Sequence, residues 1–334
     1  MKLKSSLCVL FTLLGCAASA AAQEKIVLGN SVHGLHALPV YVAVNKGLFK
    51  EQGLNIELVT FQGGATATPA LLGGSTQLQA AGTENLLKLI QQGQPVAAVM
   101  TIQSTMNAAI MVRSDVAEKL GRKPTLQDLK GLRIATLARG GAADMALRYI
   151  AASVGQDAEK DWGLTPILGY DKQLAALKAK DVDGSLPIEP VTTIWARQPI
   201  GMVSVMEMLK GEGPKIFQDM GWVTLQGKRD WISQNRDSVR KIVRALVQAQ
   251  KLIANPANRD EVVKLAAISF PNLPLPVLAA TIAAQVHTYV PQLTEEMIDK
   301  NNELLVKTGN LRAPIRYAES VDRAYADLWS EFGK

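Results

Sequence analysis

The chain has 334 residues, a formal charge of +6 and only 5% aromatic residues, and its charges are spread rather than gathered in runs. No basic run or aromatic ladder points to a nucleic acid. Both cysteines, Cys8 and Cys16, lie in the first 22 residues, so the rest of the chain carries no disulfide, thiolate nucleophile or Cys-ligated metal.

Lys2 and Lys4, the apolar run 7–14 and small residues through Ala22 read as an export signal. The run is too short to span a bilayer as a stable helix. Cleavage after Ala20 or Ala22 satisfies the small-x-small rule, and losing Lys2 and Lys4 lowers the formal charge from +6 to +4. Leu13-Leu14-Gly15-Cys16 offers the alternative of a lipid anchor on Cys16, but Leu14 is an indifferent residue for such a box. The expectation is periplasmic export, with lipidation as the alternative. The remaining chain, about 310 residues, is long enough for two lobes. Its Ala, Leu, Val and Ile suit an α/β core.

Residues 25–29 read as a buried strand followed by Asn30-Ser31-Val32-His33-Gly34. The stretch 39–74 is the most informative. It holds a short helix closed by Gly47, a turn closed by Gly53, an alternating strand over Asn55–Thr60, a Gly-Gly turn, and a helix opening near Thr66. That helix begins among small residues whose N–H groups face open space, a corner suited to an anionic ligand. Next come a strand over 77–81, Gly82-Thr83-Glu84, a helix over 85–92, a strand over 94–100, and an extended segment over 108–112. A short helix closed by Gly131 leads into another strand, and Arg139-Gly140-Gly141-Ala142 opens a helix to about Val154, so a second Gly-rich corner mirrors the first. A strand over 164–168, a helix over 171–179 and a return crossover over 221–225 follow. Helices over 235–255, 260–268, 275–288, 294–307 and 317–332 finish the chain. Alternating strands and helices predict a mainly parallel sheet covered on both faces.

The ordered set of an apolar helix, Lys46-Gly47, Phe49, Gly53-Leu54, a strand, Gly64, Ala70-Leu71 and Gly74 resembles the nitrate/sulfonate/taurine/thiamine-precursor branch of periplasmic solute-binding proteins. Asp128-Leu129-Lys130-Gly131-Leu132-Arg133-Ile134-Ala135 is similar to the branch's DLKGKKIA segment, and Val182-Asp183-Gly184 through Glu189-Pro190 to its Val-Asp-Ala…Glu-Pro segment. The chain departs at Gln77, where many members have Asp, which leaves a structural hydrogen bond open. The resemblance implies an α/β, type II periplasmic binding fold: two α/β lobes joined by a double-crossover hinge, with the ligand in the interlobe cleft. It places the signal at 1–22, one lobe at 23–112 plus 224–334, and an inserted lobe at 113–223.

In open α/β sheets ligands lie outside the carboxyl ends of the strands. That rule and the resemblance select the same loops. The candidate ligand-binding residues are Ser31, His33, Gly64, Ala65, Thr66, Gly82, Thr83, Glu84, Thr101, Gln103, Arg139, Gly140, Gly141, Ala142 and Glu189. Two helix N-termini facing across a cleft stabilise an anionic head group, and Arg139 can add a bidentate clamp. Glu84 and Glu189 argue the other way: pointing inward, they favour a neutral or cationic head group. His33 is the stronger of two nearby imidazoles, His36 the weaker, and no third ligand makes the pair a metal site. Tyr41, Trp195, Leu186 and Met202 are candidate cleft walls.

No Gly-x-Ser-x-Gly elbow, His-Glu-x-x-His helix or phosphate-cradling Gly-Lys-Ser/Thr loop occurs, so neither catalytic residues nor a cofactor or metal are expected. The reading is a monomeric receptor that closes on a small solute and delivers it to an ABC permease, whose ATPase lies on the cytoplasmic side. A sulfonate, taurine-like or other small anion is favoured. The alternatives are a neutral or cationic heteroaromatic such as a thiamine-precursor pyrimidine, a same-fold enzyme, or a sensory receptor.

Overall fold

The computed structural model describes residues 25–333, so the export signal lies outside the described residues. Its strands are β1 (Lys25–Asn30), β2 (Asn55–Thr60), β3 (Leu78–Gly82), β4 (Val96–Gln103), β5 (Ala109–Arg113), β6 (Ile134–Thr136), β7 (Thr165–Pro166), β8 (Gly184–Ser185), β9 (Met202–Glu207) and β10 (Val223–Lys228). They form two five-stranded sheets, in the orders β2-β1-β3-β10-β4 and β7-β6-β8-β5-β9.

β10 runs antiparallel to both its neighbours, as β5 does in the second sheet; the remaining pairs are parallel. These are the strands that arrive from the other sheet, and each inserts one place in from an edge. The sheets are therefore mainly parallel, with one reversed strand apiece.

Local sequence explains most elements. Gly47, at φ 84°, ends the helix Leu38–Lys46 in the left-handed conformation that a Cβ disfavours. Helix Arg236–Ala254 buries Val239, Ile242, Val243, Leu246, Val247, Gln250 and Ile253, the spacing of one helical stripe, and packs against Leu38–Lys46. The Thr294 hydroxyl accepts from Met297 N and starts the helix Glu295–Lys307. That helix packs on Thr83–Gln91 and also reaches Ala142–Ser153 beside the second sheet. Gln77 resolves its departure from the family pattern: its Oε1 accepts from Val27 N at 2.7 Å, holding β1 to the segment before β3.

Three expectations need correction, and one strand adds to them. The helix expected over 317–332 is three pieces, because extended Val321 bridges Ala98 of β4 and Asp322 caps a new turn. The strand expected over 164–168 shrinks to β7. Helix Gly64–Leu72 opens two residues earlier than expected, directly on Gly63. β9 was not anticipated, although Met202-Val203-Ser204-Val205-Met206-Glu207 alternates as a strand does.

Candidate functional site

Between the sheets, where the carboxyl ends of β1, β3 and β6 and the start of β10 converge, lies a cavity of about 420 Å³. One wall comes from helix Thr83–Gln91, whose Glu84, Asn85, Lys88 and Leu89 recur on a single face at helical spacing. Glu84 is 5% exposed, and its carboxyl folds back over Gly82, so that a Cβ there would stand 2.1 Å from Glu84 Oε2. Glu84 Oε1 accepts from Asn85 Nδ2 at 3.1 Å. Burial raises the Glu84 pKa above its usual 4.5, opposed in part by the positive charge of Lys88 one turn on. Lys88 Nζ in turn donates to Gly140 O at 2.9 Å, a direct tie between the two sides of the cavity.

The two Gly-rich corners face this space. Gly63 precedes helix Gly64–Leu72 at φ 138°, and no side chain caps that helix. Across the cavity, Gly140 to Ala143 lead into helix Ala142–Ser153, also without a side-chain cap. Here the turn is held from beneath by Asp144. This buried carboxylate accepts from Gly140 N at 3.0 Å and from Arg148 Nε at 2.7 Å. Glu159 bonds both Arg148 and Arg139. The Arg139 backbone thus borders the corner while its guanidinium is paired with a carboxylate.

The floor is apolar and aromatic: Met106, Ile188, Tyr170, Trp222 and the His36 ring, which meets Trp222 edge-on at 5.7 Å. Asn30 Nδ2 donates to Tyr41 Oη at 2.7 Å, which leaves Asn30 Oδ1 to accept from His36 Nε2 at 3.2 Å. His36 Nδ1 then carries a lone pair with no hydrogen-bonding partner. Complete burial, and secondarily the nearby His33, lower the His36 pKa from 6.5 to about 3, so the ring is neutral at physiological pH.

The NMT1-like family matches residues 19–267, three quarters of the sequence. The chain belongs to the NMT1-like family. It is 24% identical over 331 residues to YtlA of Bacillus subtilis, which carries the name of a binding protein; 96% of this chain and 95% of YtlA are covered. It is 25% identical over 253 residues to the nitrate/nitrite binding protein NrtA of Nostoc, covering 69% of this chain and 54% of NrtA. Among solved structures, the alkanesulfonate-binding protein SsuA from Xanthomonas axonopodis pv. citri, bound to MOPS, superposes with a TM-score of 0.73 at 22% identity, covering 91% of this chain and all of SsuA. The nitrate-binding protein NrtA of Synechocystis gives 0.71 at 16% identity, covering 93% of this chain and 89% of NrtA. At such identities the likeness is one of fold: a type II periplasmic binding fold of two α/β lobes.

In this NMT1-like chain, Ser31, Gly64, Ala65, Gly82, Glu84, Arg139, Gly140, Gly141 and Ala142 border the cavity. Six candidates do not. His33 is turned outward onto Phe270, 4.5 Å away, with Nε2 3.0 Å from Ser269 O. The Thr66 hydroxyl bonds Gly63 O at 3.0 Å, and that of Thr83 bonds Gly221 O. Thr101 is sealed in the core with its N–H on Pro291 O, and Gln103 donates to Gln285 and Thr288. Both sit on edge strand β4, whose end is roofed by the segment 285–291 instead of opening on the cavity. Glu189 turns away because the chain reverses there: Ile188 bridges Ala108 and takes the cavity side, the turn closed by Val191 N on Ile188 O follows, and the Glu189 carboxylate accepts from Thr193 N and Oγ1. Tyr41, Trp195, Leu186 and Met202 are core residues rather than cavity walls.

Sequence reading undervalued His36 and passed over Lys88, Asn85, Trp222 and Tyr170. The first two helix residues were recoverable, since Asn85 and Lys88 share the Glu84 face of one helix. Trp222 and Tyr170 carry no such signal.

Proposed function

We propose that this chain is an exported, monomeric solute receptor of an ABC import system, non-catalytic, with the solute held between lobes that close on it. In this reading one lobe is built around the first sheet from both chain ends and the other around the second sheet. The crossings fall at 104–108 and 208–222. The first lies a few residues before the boundary expected from sequence, since β5 pairs in the second sheet. The family, the two-lobed fold and the names of its relatives support the receptor role.

The solute proposed is a small organic molecule with a flat apolar body and an N–H or amine donor. Glu84 carries this reading: the cavity's buried carboxyl group faces it, while the Arg139 guanidinium is committed to Glu159. Size supports it as well, because about 420 Å³ is room for roughly fourteen waters at ~30 Å³ each, far more than nitrate fills. His36, Trp222 and Tyr170 supply the surface for a flat ring. A second reading, an organic anion such as a sulfonate, is favoured by Lys88 and by the two uncapped helix starts at Gly64 and Ala142.

Melting-temperature screening of residues 23–334 against amino-heteroaromatics, alkylamines, sulfonates, aromatic acids, nitrate and bicarbonate separates the two, since a ligand that binds only the folded state raises Tm. An amino-heteroaromatic is expected to bind, and E84Q to weaken it by about tenfold or more, the effect of losing a charged hydrogen bond. Binding of sulfonates alone, undiminished in E84Q and weakened in K88M, would transfer the assignment to the second reading.

A further inference from the structure

Six of the residues lining the candidate site are exposed and so form its mouth: Gln62, Ala65, Pro69, Gln92, Arg139 and Leu168. Three of these are apolar, two are neutral amides, and the one charged side chain, Arg139, is paired with Glu159. Among the described residues five large apolar side chains stand exposed, and Leu168, at 48%, is the one that lines the cavity. Apolar side chains scattered over a surface need no explanation, but one set at the entrance of a ligand cavity does.

The lining grades from sealed to open on both sides. Toward the second sheet Ile188 is buried, Leu137 and Tyr170 are half-buried, and Leu168 is exposed. Toward the first sheet Trp222 is buried, Thr68 is half-buried, and Ala65 and Pro69 are exposed. Ala65, Thr68 and Pro69 recur on one face of helix Gly64–Leu72. The backbone beside Leu168 is pinned: Ile167 N donates to Thr136 O at 2.7 Å, and Ile167 O accepts from Gln173 Nε2 at 2.9 Å. Gln173 is itself buried, and its Oε1 accepts from Ser185 Oγ at 2.6 Å, which fixes the amide in that sense. Gly169, at φ 95°, then turns the chain into helix Tyr170–Lys178. Leu168 is thus held at the entrance, half in water, where an apolar group covering it is favourable.

We propose that this mouth is a subsite for a hydrocarbon substituent of the solute, carried on the end away from the head group, and that Leu168 determines the preference for its length. The inference deepens the solute assignment and rests on the reading of this cavity as the solute site. Glu84 is 5% exposed and Leu168 48%, so a molecule anchored at the first presents its far end to the second. Pockets of roughly 300–1,000 Å³ hold drug-sized ligands. The cavity's 420 Å³ therefore leaves room for a substituent beyond a single ring stacked on the floor.

The test uses two probe series that differ in head group, para-alkylanilines and para-alkylbenzenesulfonates, each from methyl to pentyl, titrated calorimetrically into the protein. In whichever series binds, each added methylene should tighten binding by about two- to fourfold, fourfold corresponding to a fully buried CH₂. L168S should cut that step below about 1.5-fold. It should leave the methyl compound and Tm nearly unchanged, as befits an exposed position. L168M, which restores an apolar side chain of similar volume, should recover the step. Sulfonates that bind with this length dependence while the anilines stay silent would overturn the Glu84 reading and uphold the subsite. Binding without length dependence, a step equal in L168S and the parent, or silence of both series at millimolar concentration overturns the subsite.

Discussion

Glu84 and His36 face one cavity and respond to acid in opposite directions. The folded-state pKa of Glu84 lies above the 4.5 of the unfolded chain. Between those values the folded state binds more protons, stability falls as pH rises, and the full penalty is present above the raised value. E84Q should therefore melt higher than the parent at pH 7, with the difference shrinking as pH approaches 4.5; an unchanged difference would mean the carboxyl is solvated. For His36 the unfolded chain takes up the extra proton, so stability climbs with pH from about 3 to 6.5 and is complete above that. H36N should flatten this slope, worth a few kcal/mol at its acid limit as an order of magnitude, which denaturant melts at pH 4 and pH 7 will show. Gly82 gives a third residue-scale expectation. G82A drives the Glu84 carboxyl from its seat and should abolish solute binding while lowering stability by only about 1–3 kcal/mol. Retained affinity in a folded G82A protein would remove Glu84 from the site.

At the scale of elements, the turn before helix Ala142–Ser153 depends on a residue inside that helix. Asp144 holds Gly140 N and Arg148 together, and Gly140 O receives Lys88 from the opposite wall. D144A leaves Arg148 with Glu159 as its one carboxylate partner and the Gly140 N–H without an acceptor. Losing this charged acceptor beneath the turn costs about 1.5–3 kcal/mol, read by urea denaturation, and the solute affinity should fall as the corner loosens. A loss below about 0.5 kcal/mol would place the turn's rigidity elsewhere. A second tie, outside the cavity, joins helix Ala142–Ser153 to helix Glu295–Lys307: Tyr149 Oη donates to Glu303 at 2.6 Å in an exposed setting, with Lys307 over the Tyr149 ring at 5.2 Å. Y149F should reduce solute affinity less than tenfold, in keeping with one solvated hydrogen bond, and leave Tm nearly unchanged.

For the whole molecule, two sheets joined by only a double crossing make closure the natural motion. Solute should lower the radius of gyration in solution scattering. It should also slow amide exchange at both Gly-rich corners together; protection at 63–66 without 139–142 would contradict closure by two lobes.

The chain by itself determined what local chemistry controls: the glycine stops at Gly47 and Gly53, the alternating strand Asn55–Thr60, the apolar stripes of the long helices, and two corners of small residues. These follow from backbone sterics and side-chain period, which need no knowledge of distant segments. Tertiary structure decided which neighbours along the chain face the cavity. Ile188 rather than Glu189, and His36 rather than His33, line it because the facing of a side chain depends on which strand or helix packs behind it. Arg139 was legible as a cation, but not as one already claimed by Glu159, twenty residues on. The final helix broke at Val321 because pairing with Ala98, more than two hundred residues away, outweighed local helical preference. Short-range preferences fix elements; only long-range packing fixes which charges are left free to meet a solute.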